Sequence, residues 1–374
     1  MDNSVNINAC FDNSGFNSAN SLTHLLDEDS SDITSIQLSE YVDVETFSKQ
    51  FSAAKSKFSI LSLNIQTINT KFQEFKIVID QINEHHKISV ICLQETHLDS
   101  DDPRLNYFEI EDYQLLSKGR YCSNAGGLII YLHKDFNYKL LDYSIEENNV
   151  SIINEQRPPS WENLFIEIKR KVPNSKSYII GNVYRRPIDT VDNCTNFNEE
   201  FTELLNYMQR KKRSIYISGD FNYDLLKINE KRMYNNFFEC MLSTGFYPKI
   251  SLPTRFSLVH GTSTLIDNIY SNEIDKNTSG IFTNEISDHQ MIFTYSNDPI
   301  LDKKSNNYIE IESNSPEKLN HFLEELKSLD LTEKLNQNPF ANPNKNYDIF
   351  IDLLTDTKKR ILPKKKVKFN KKKT

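Results

Sequence analysis

No apolar run in this 374-residue chain approaches the roughly 18 residues that a membrane-spanning helix needs, so no membrane partner is expected. The N-terminal MDNSVNINAC has neither a basic region nor an apolar one, and no secretory signal is read there. Cys10, Cys92, Cys122, Cys194 and Cys240 are odd in number and scattered. They show neither CxxC nor zinc-ligand spacing, which disfavours a disulfide framework and fits reduced thiols in a cytosolic or nuclear protein. Glycine is scarce, 9 residues in all, beside abundant Asn, Lys and Ile. That pattern suggests an AT-biased coding sequence and speaks to origin more than to function. There is no internal repeat. Positive charge is in deficit as well: the net charge of −8 gives no global sign of nucleic-acid binding.

What is present is enough for a real core, since 38% of residues are hydrophobic and 11% aromatic. The charge is unevenly spread. From Lys358 to Thr374 there are ten basic residues and no acid, so a net −8 less a tail of +10 leaves the remainder at −18. An acidic body with a basic tail is the result.

Residues 1–36 are rich in Asn, Ser and Asp and read as a disordered leader. From Phe58 onward, strand-like and helix-like patterns alternate. Phe58 to Leu63, Ile88 to Leu93, Gly126 to Leu132, Leu164 to Ile168, Tyr178 to Tyr184, Ile215 to Gly219, Thr264 to Tyr270 and Met291 to Tyr295 read as strands. Phe72, Phe75, Ile79 and Ile82 mark one helix face, and Phe197, Phe201, Leu204, Leu205 and Met208 another. This predicts an α/β (α+β) domain over 37–298, a mixed sheet system flanked by helices. A helical region over 299–357 follows: Ser315-Pro316-Glu317 starts a helix with an apolar stripe, and Tyr347 to Ile361 forms a second. The basic tail, 358–374, ends the chain.

Four short segments carry chemistry: Leu63-Asn64-Ile65, Leu93-Gln94-Glu95-Thr96, Gly219-Asp220-Phe221-Asn222 and Ser287-Asp288-His289. Each sets a polar residue at the edge of an apolar strand, where a rigid backbone can fix its aim. The set offers hard-oxygen ligands, a His and amides, and no Ser or Cys nucleophile. Metal-assisted hydrolysis of a phosphodiester by an activated water is the chemistry that fits. Glu95 and Asp288 are natural ligands for Mg²⁺, with Mn²⁺ as a substitute. Asp220 and Asn222, two apart on an extended segment, would point to one side and hold a water. His289 can contact a phosphoryl oxygen while Asp267 fixes its tautomer. Asn64 and Tyr184 can donate to phosphate. Taken singly, each of these residues also reads as turn, cap or surface chemistry; Asp267, a carboxylate inside an apolar strand, is the hardest to read so.

These segments, with Asn182-Val183-Tyr184-Arg185 and Leu265-Ile266-Asp267, resemble the motif series of the exonuclease-endonuclease-phosphatase superfamily over about residues 40–297. The resemblance implies a sandwich of two mixed β-sheets with helices outside and a divalent-metal site at one end. It implies Glu95 and Asp288 as metal ligands, Asp220 and Asn222 as the water-activating pair, and His289 with Asp267 on phosphate. Asn64 and Tyr184 would then be supporting contacts. Gln66 departs from those abasic-site endonucleases of the superfamily that carry an acid there. Within it, Phe58 to Phe75, Pro253-Thr254-Arg255-Phe256 and Ser263 to Asn272 resemble the endonuclease of non-LTR (LINE-type) retrotransposons. That likeness implies double-stranded DNA as substrate, a nuclear location with the cytoplasm as alternative, and element RNA and a reverse transcriptase as further partners. The chain stops about where that polymerase would begin, and no Tyr-x-Asp-Asp motif is present.

Arg185 and Arg186 beside Tyr184 are placed to meet phosphate. The loop from Thr254 to Ser263, with Arg255 and His260, is a candidate DNA-reading hairpin. The basic tail could bind nucleic acid or serve as a nuclear address. Two rivals stand beside this reading: a phosphatase or deadenylase of the same fold, and a catalytically silent nucleic-acid-binding remnant.

Overall fold

Strand β2 (Lys57–Asn64) shows how the sequence builds the body. Successive side chains of a strand face opposite ways. Phe58 and Ile60 therefore join the core between the sheets, while Leu61 and Leu63 meet the outer helix. A strand buried on both faces carries apolar residues toward each, and its buried Ser59 and Ser62 hydroxyls accept from Ser89 N–H and Gln94 Nε2. Strands β3 (Val90–Gln94) and β5 (Leu128–His133) are likewise wholly buried. The computed structural model describes residues 22, 39–43, 45–47, 57–85, 87–99, 101–120, 125–141, 160–172, 175–257, 261–274, 277–299, 308–312, 316–329, 343–362 and 364–368.

The body is Met1–Leu301, one of two compact units. Its strands, besides those named, are β1 (Glu40–Val42), β4 (Tyr113–Lys118), β6 (Phe136–Leu141), β7 (Trp161–Arg170), β8 (Ser177–Arg185) and β9 (Ser214–Asp220). They continue with β10 (Tyr247–Pro248), β11 (Arg255–Ser257), β12 (Thr262–Thr264), β13 (Asp267–Ser271), β14 (Asn277–Phe282) and β15 (Met291–Pro299). One sheet runs β1-β14-β15-β2-β3-β5-β4, and the other β10-β13-β9-β8-β7-β6. Each mixes parallel and antiparallel pairs: β2 with β3, β1 with β14 and β8 with β9 are parallel. Helix α1 (Ile68–His85) buries Phe72, Phe75, Ile79 and Ile82 on the first sheet. Helices α2 (Val191–Gln209) and α3 (Arg232–Ser243) bury Phe197, Phe201, Phe237 and Met241 in the core shared with the second. Thr190 starts α2 by accepting the Asn193 N–H. The expected two-sheet sandwich with outer helices is the fold observed.

The leader expected over 1–36 lies outside the described residues except for Leu22. That residue is buried and donates its N–H to Ser251 O at 2.8 Å. Gln94 and Asn182 tie the two sheets through the core: Gln94 Nε2 donates to Asn182 Oδ1 at 2.6 Å, and Asn182 Nδ2 to the carbonyls of Leu93 and Ile129, both at 2.9 Å. These bonds tie β3 and β8, interior strands of the two sheets, to each other.

The second unit is Asp302–Thr374. Helices α4 (Pro316–Ser328) and α5 (Pro343–Ile361) both begin at proline, whose fixed φ and missing N–H suit a first helical position. Helix α5 ends at Ile361, where the apolar pattern of the second expected helix also ends, and in the Lys-rich segment after it β17 (Lys364–Lys368) pairs antiparallel with β16 (Tyr308–Glu312).

Candidate active site

Strand register assembles the site. In the second sheet Tyr184 pairs with Asp220, and Asp220 with Asp267. Cross-strand partners share a face, so three of the expected residues form a single row. Glu162 extends it, paired with Tyr184. In the first sheet Asn64 pairs with Gln94, one residue before Glu95. Asp288 and His289 come from the segment leading into β15. Gln66, Glu95, Tyr184, Arg186, Asp220, Asn222, Arg255 and His289 all line one cleft of about 600 Å³.

Asn64 joins the sheets at the floor of the cleft. Its Nδ2 donates to Glu95 Oε1 at 2.7 Å and to Asp220 Oδ2 at 2.9 Å. One amide thus holds two carboxylates together, each bond strengthened by an ionised acceptor. His289 is buried and its Nδ1 donates to Asp267, 3.0 and 2.9 Å from the two oxygens. Asp267 in turn accepts from Thr254 Oγ1 at 2.7 Å. Burial alone lowers the His289 pKa; the Asp267 charge and hydrogen bond outweigh it and raise it to about 9. Burial also pushes the Asp220 carboxyl up, with Asp267 and Glu95 adding to the shift. Tyr184 is raised by burial and by Glu95, Asp220 and Glu162.

Asp288 is gripped on one side only. Its Oδ2 accepts from Arg255 Nε at 2.8 Å, while its Oδ1 is buried without a hydrogen bond. Burial pushes this carboxyl up, but Arg255, His289 and Gln66 together hold it below the ordinary range. Lys71 of α1 feels both Asp288 and Glu95, though burial is the larger influence and lowers its pKa. Asp220, Asp267 and His289 bring one donor atom each within 4.8 Å of one another. That trio is already bonded within itself through His289 Nδ1 and Asp267, so the open acceptor is the buried, unbonded Oδ1 of Asp288, a hard oxygen that suits a divalent cation.

Two expectations are corrected. Asp220 and Asn222 do face the same cleft, yet not by strand alternation. β9 ends at Asp220, and Asn222 takes a left-handed φ of 51° that lets its N–H bond Asp220 Oδ1 at 2.9 Å. Just before the turn, Gly219 lets β9 pass close to β8, since a Cβ there would lie 1.8 Å from Val183 O. Arg185 is too deeply buried to meet a phosphate. It is 1% exposed, its guanidinium lies 3.8 Å from the Tyr223 ring centroid, and it donates to the carbonyls of Ile188, Asn222 and Phe221 at 3.0, 3.3 and 3.4 Å. Its own carbonyl accepts from Asn222 Nδ2 at 2.7 Å. Arg185 braces the turn that carries Asn222. Arg186, by contrast, lines the cleft, and its Nη2 is buried without a hydrogen bond.

The hairpin expected between Thr254 and Ser263 is present as β11 and β12, with His260 outside the described residues. It is stitched to the site: Phe256 N–H donates to Asp288 O at 3.1 Å and Gln290 N–H to Thr254 O at 2.7 Å. Sequence reasoning missed Glu162, which is 1% exposed and accepts the Gly127 N–H at 2.7 Å. Glu162 lies near the start of β7, ahead of the apolar run Leu164 to Ile168, and no pattern in the sequence marks it. Lys71 and His97 were missed as well.

Residues 61–289, more than half of the chain, match the Endonuclease/Exonuclease/phosphatase family. The AP endonuclease LMAP of Leishmania major is similar at 13% identity and a TM-score of 0.51, over 66% of this chain and 89% of that one. The catalytic domain of Xenopus laevis APE2 is similar at 18% identity and a TM-score of 0.51, over 66% and 94%. The endonuclease domain of TRAS1, a telomere-specific non-LTR retrotransposon, is similar at 11% identity and a TM-score of 0.45, over 64% and 98%. With its two mixed sheets, its row of acids and its buried Asp–His pair, the chain belongs to the Endonuclease/Exonuclease/phosphatase family.

Proposed function

We propose that this protein is a Mg²⁺-dependent DNA endonuclease that nicks one strand of duplex DNA with an activated water and leaves a 3′-hydroxyl. The observation that carries the reading is the meeting of Asn64, Glu95, Tyr184, Asp220, Asn222 and His289 at a single cleft, with Asp267 behind His289. Glu95 and Asp288 are the residues that would hold the cation. Bound there, it would supply positive charge against the phosphoryl oxygens.

The chain's own groups do the rest. Asp220, raised by burial, is suited to take a proton from water. Asn222 gives its amide N–H to Arg185 O, so its Oδ1 is the end that can accept from that water. His289, held by Asp267, presents Nε2 to a phosphoryl oxygen. Tyr184 and Arg186 line the cleft where the phosphate would sit, and the unbonded Nη2 of Arg186 suits an anion.

The LINE-like flanks around Phe58 to Phe75 and Ser263 to Asn272 support a retrotransposon origin. In that setting the 3′-hydroxyl would prime a reverse transcriptase on element RNA, and the nucleus would be the place of work. The test is incubation of purified protein with supercoiled plasmid in Mg²⁺ or EDTA, beside Glu95→Ala. Open circles only with Mg²⁺ and the unaltered protein are expected. Equal nicking by Glu95→Ala would remove Glu95 from the cation site, and no nicking by folded protein would move the substrate to RNA or a phosphomonoester.

A further inference from the structure

We infer that His97, set by Thr67, is a positioning residue for the Glu95 carboxylate; this rests on the reading of Glu95 as a cation ligand. Glu95 has two oxygens with separate neighbours. Oε1 accepts from Asn64 Nδ2 at 2.7 Å, and Oε2 faces His97 Nε2 across 3.5 Å. That ring nitrogen is buried and makes no hydrogen bond of its own. The other nitrogen, Nδ1, lies 2.5 Å from Thr67 Oγ1.

The tautomer follows from the electrostatics. If Nδ1 carried the proton, Nε2 would turn a lone pair toward a carboxylate. With the Thr67 hydroxyl donating to Nδ1, the proton sits on Nε2 and points at Glu95. The chain runs from the Thr67 hydroxyl through the His97 imidazole to the Glu95 carboxylate. It fixes the second oxygen of a group that Asn64 fixes by the first.

The backbone is arranged to deliver this contact. Gln66, Thr67, Glu95 and His97 all have positive φ, at 48°, 85°, 51° and 57°. Such values are uncommon for residues other than glycine and rare for a β-branched one. Four within two short loops mark a shape enforced by its surroundings. The enforcing bonds are visible: Ile65 N–H donates to Gln94 O at 3.0 Å, Thr67 N–H to Glu95 O at 2.8 Å and Ile68 N–H to Thr96 O at 3.2 Å. From the other side, Thr96 N–H meets Gly127 O at 3.1 Å and His97 N–H meets Gly126 O at 2.9 Å. The segment carrying Glu95 and His97 is clamped between two loops, so the imidazole is aimed before any ligand arrives.

The test is a Mn²⁺ titration of the full chain without DNA, read by calorimetry, with thermal melting alongside. Groups that orient a metal-binding carboxylate are worth about 10- to 100-fold in metal affinity. His97→Ala and Thr67→Val are expected to weaken Mn²⁺ binding within that range, Thr67→Ser to bind as the unaltered protein does, and His97→Gln to recover part of the loss. Should His97→Ala fail to fold, the contrast of Thr67→Val with Thr67→Ser decides. Mn²⁺ affinity unchanged in Thr67→Val and His97→Gln, while Glu95→Gln loses it, overturns the inference alone. Glu95→Gln binding as the unaltered protein does overturns the reading of Glu95 beneath it.

Discussion

Replacing Arg185 with Leu separates a structural arginine from a DNA contact. The guanidinium is 1% exposed and stacks on Tyr223, with the carbonyls of Ile188, Asn222 and Phe221 at 3.0, 3.3 and 3.4 Å. Hydrogen bonds from a charged donor contribute about 1.5–3 kcal/mol each, and a desolvated cation–π contact about 2 kcal/mol. Part of this offsets the cost of burying the charge, and leucine recovers some packing. A net loss of about 3–5 kcal/mol is expected, because the truncation leaves these carbonyls without their donor at about 1–3 kcal/mol each. At roughly 2–4 °C per kcal/mol for a domain of this order, the melting temperature should fall by about 10 °C. DNA affinity measured by fluorescence anisotropy in the cold, where the protein is still folded, should change little. A melting temperature within 2 °C of the unaltered protein, with DNA binding weakened about tenfold, would refute the assignment of Arg185 to the fold.

Arg186→Ala should leave the melting temperature unchanged and raise KM for DNA several-fold, because Arg186 lines the cleft and its Nη2 has no hydrogen bond to lose; a steady-state titration with plasmid reads this. Asp267→Asn keeps the shape but removes the charge beside His289, and the nicking rate should fall by about 100-fold or more with the fold intact by circular dichroism. Gly219→Ala should prevent folding of the body, since the added methyl would sit 1.8 Å from Val183 O; soluble protein that melts normally would contradict the close approach described here.

Most of the site could be read from the sequence because its residues sit at the ends of doubly buried strands. Apolar runs such as Val90–Gln94 announce both the strand and the point where it stops. The edge strands were harder. β6 alternates from Phe136 to Leu140 in sequence, yet only Phe136 is buried and Tyr138 and Leu140 stay exposed. Helix α3 places Tyr234, Phe237, Phe238 and Met241 at i, i+3, i+4 and i+7 and buries all four, a stripe that sequence reasoning passed over. Arg185 was misjudged although β8 held the answer. If Tyr184 faces the cleft, its neighbour on a strand faces away, toward α2. The Asp220–Asn222 pairing came out right for the wrong local reason, since the chain turns there and does not run on extended. Glu162 and His97 needed register and loop clamping, which depend on residues far apart in the chain.

One measurement bears on the central claim most directly: supercoiled plasmid is incubated with the protein and Mg²⁺, and the product is given to a DNA polymerase with labelled nucleotides. The account predicts open circles that take up label, because each nick presents a 3′-hydroxyl, and neither product in EDTA. Nicked circles that accept label only after phosphatase treatment would mean a 3′-phosphate and would contradict it.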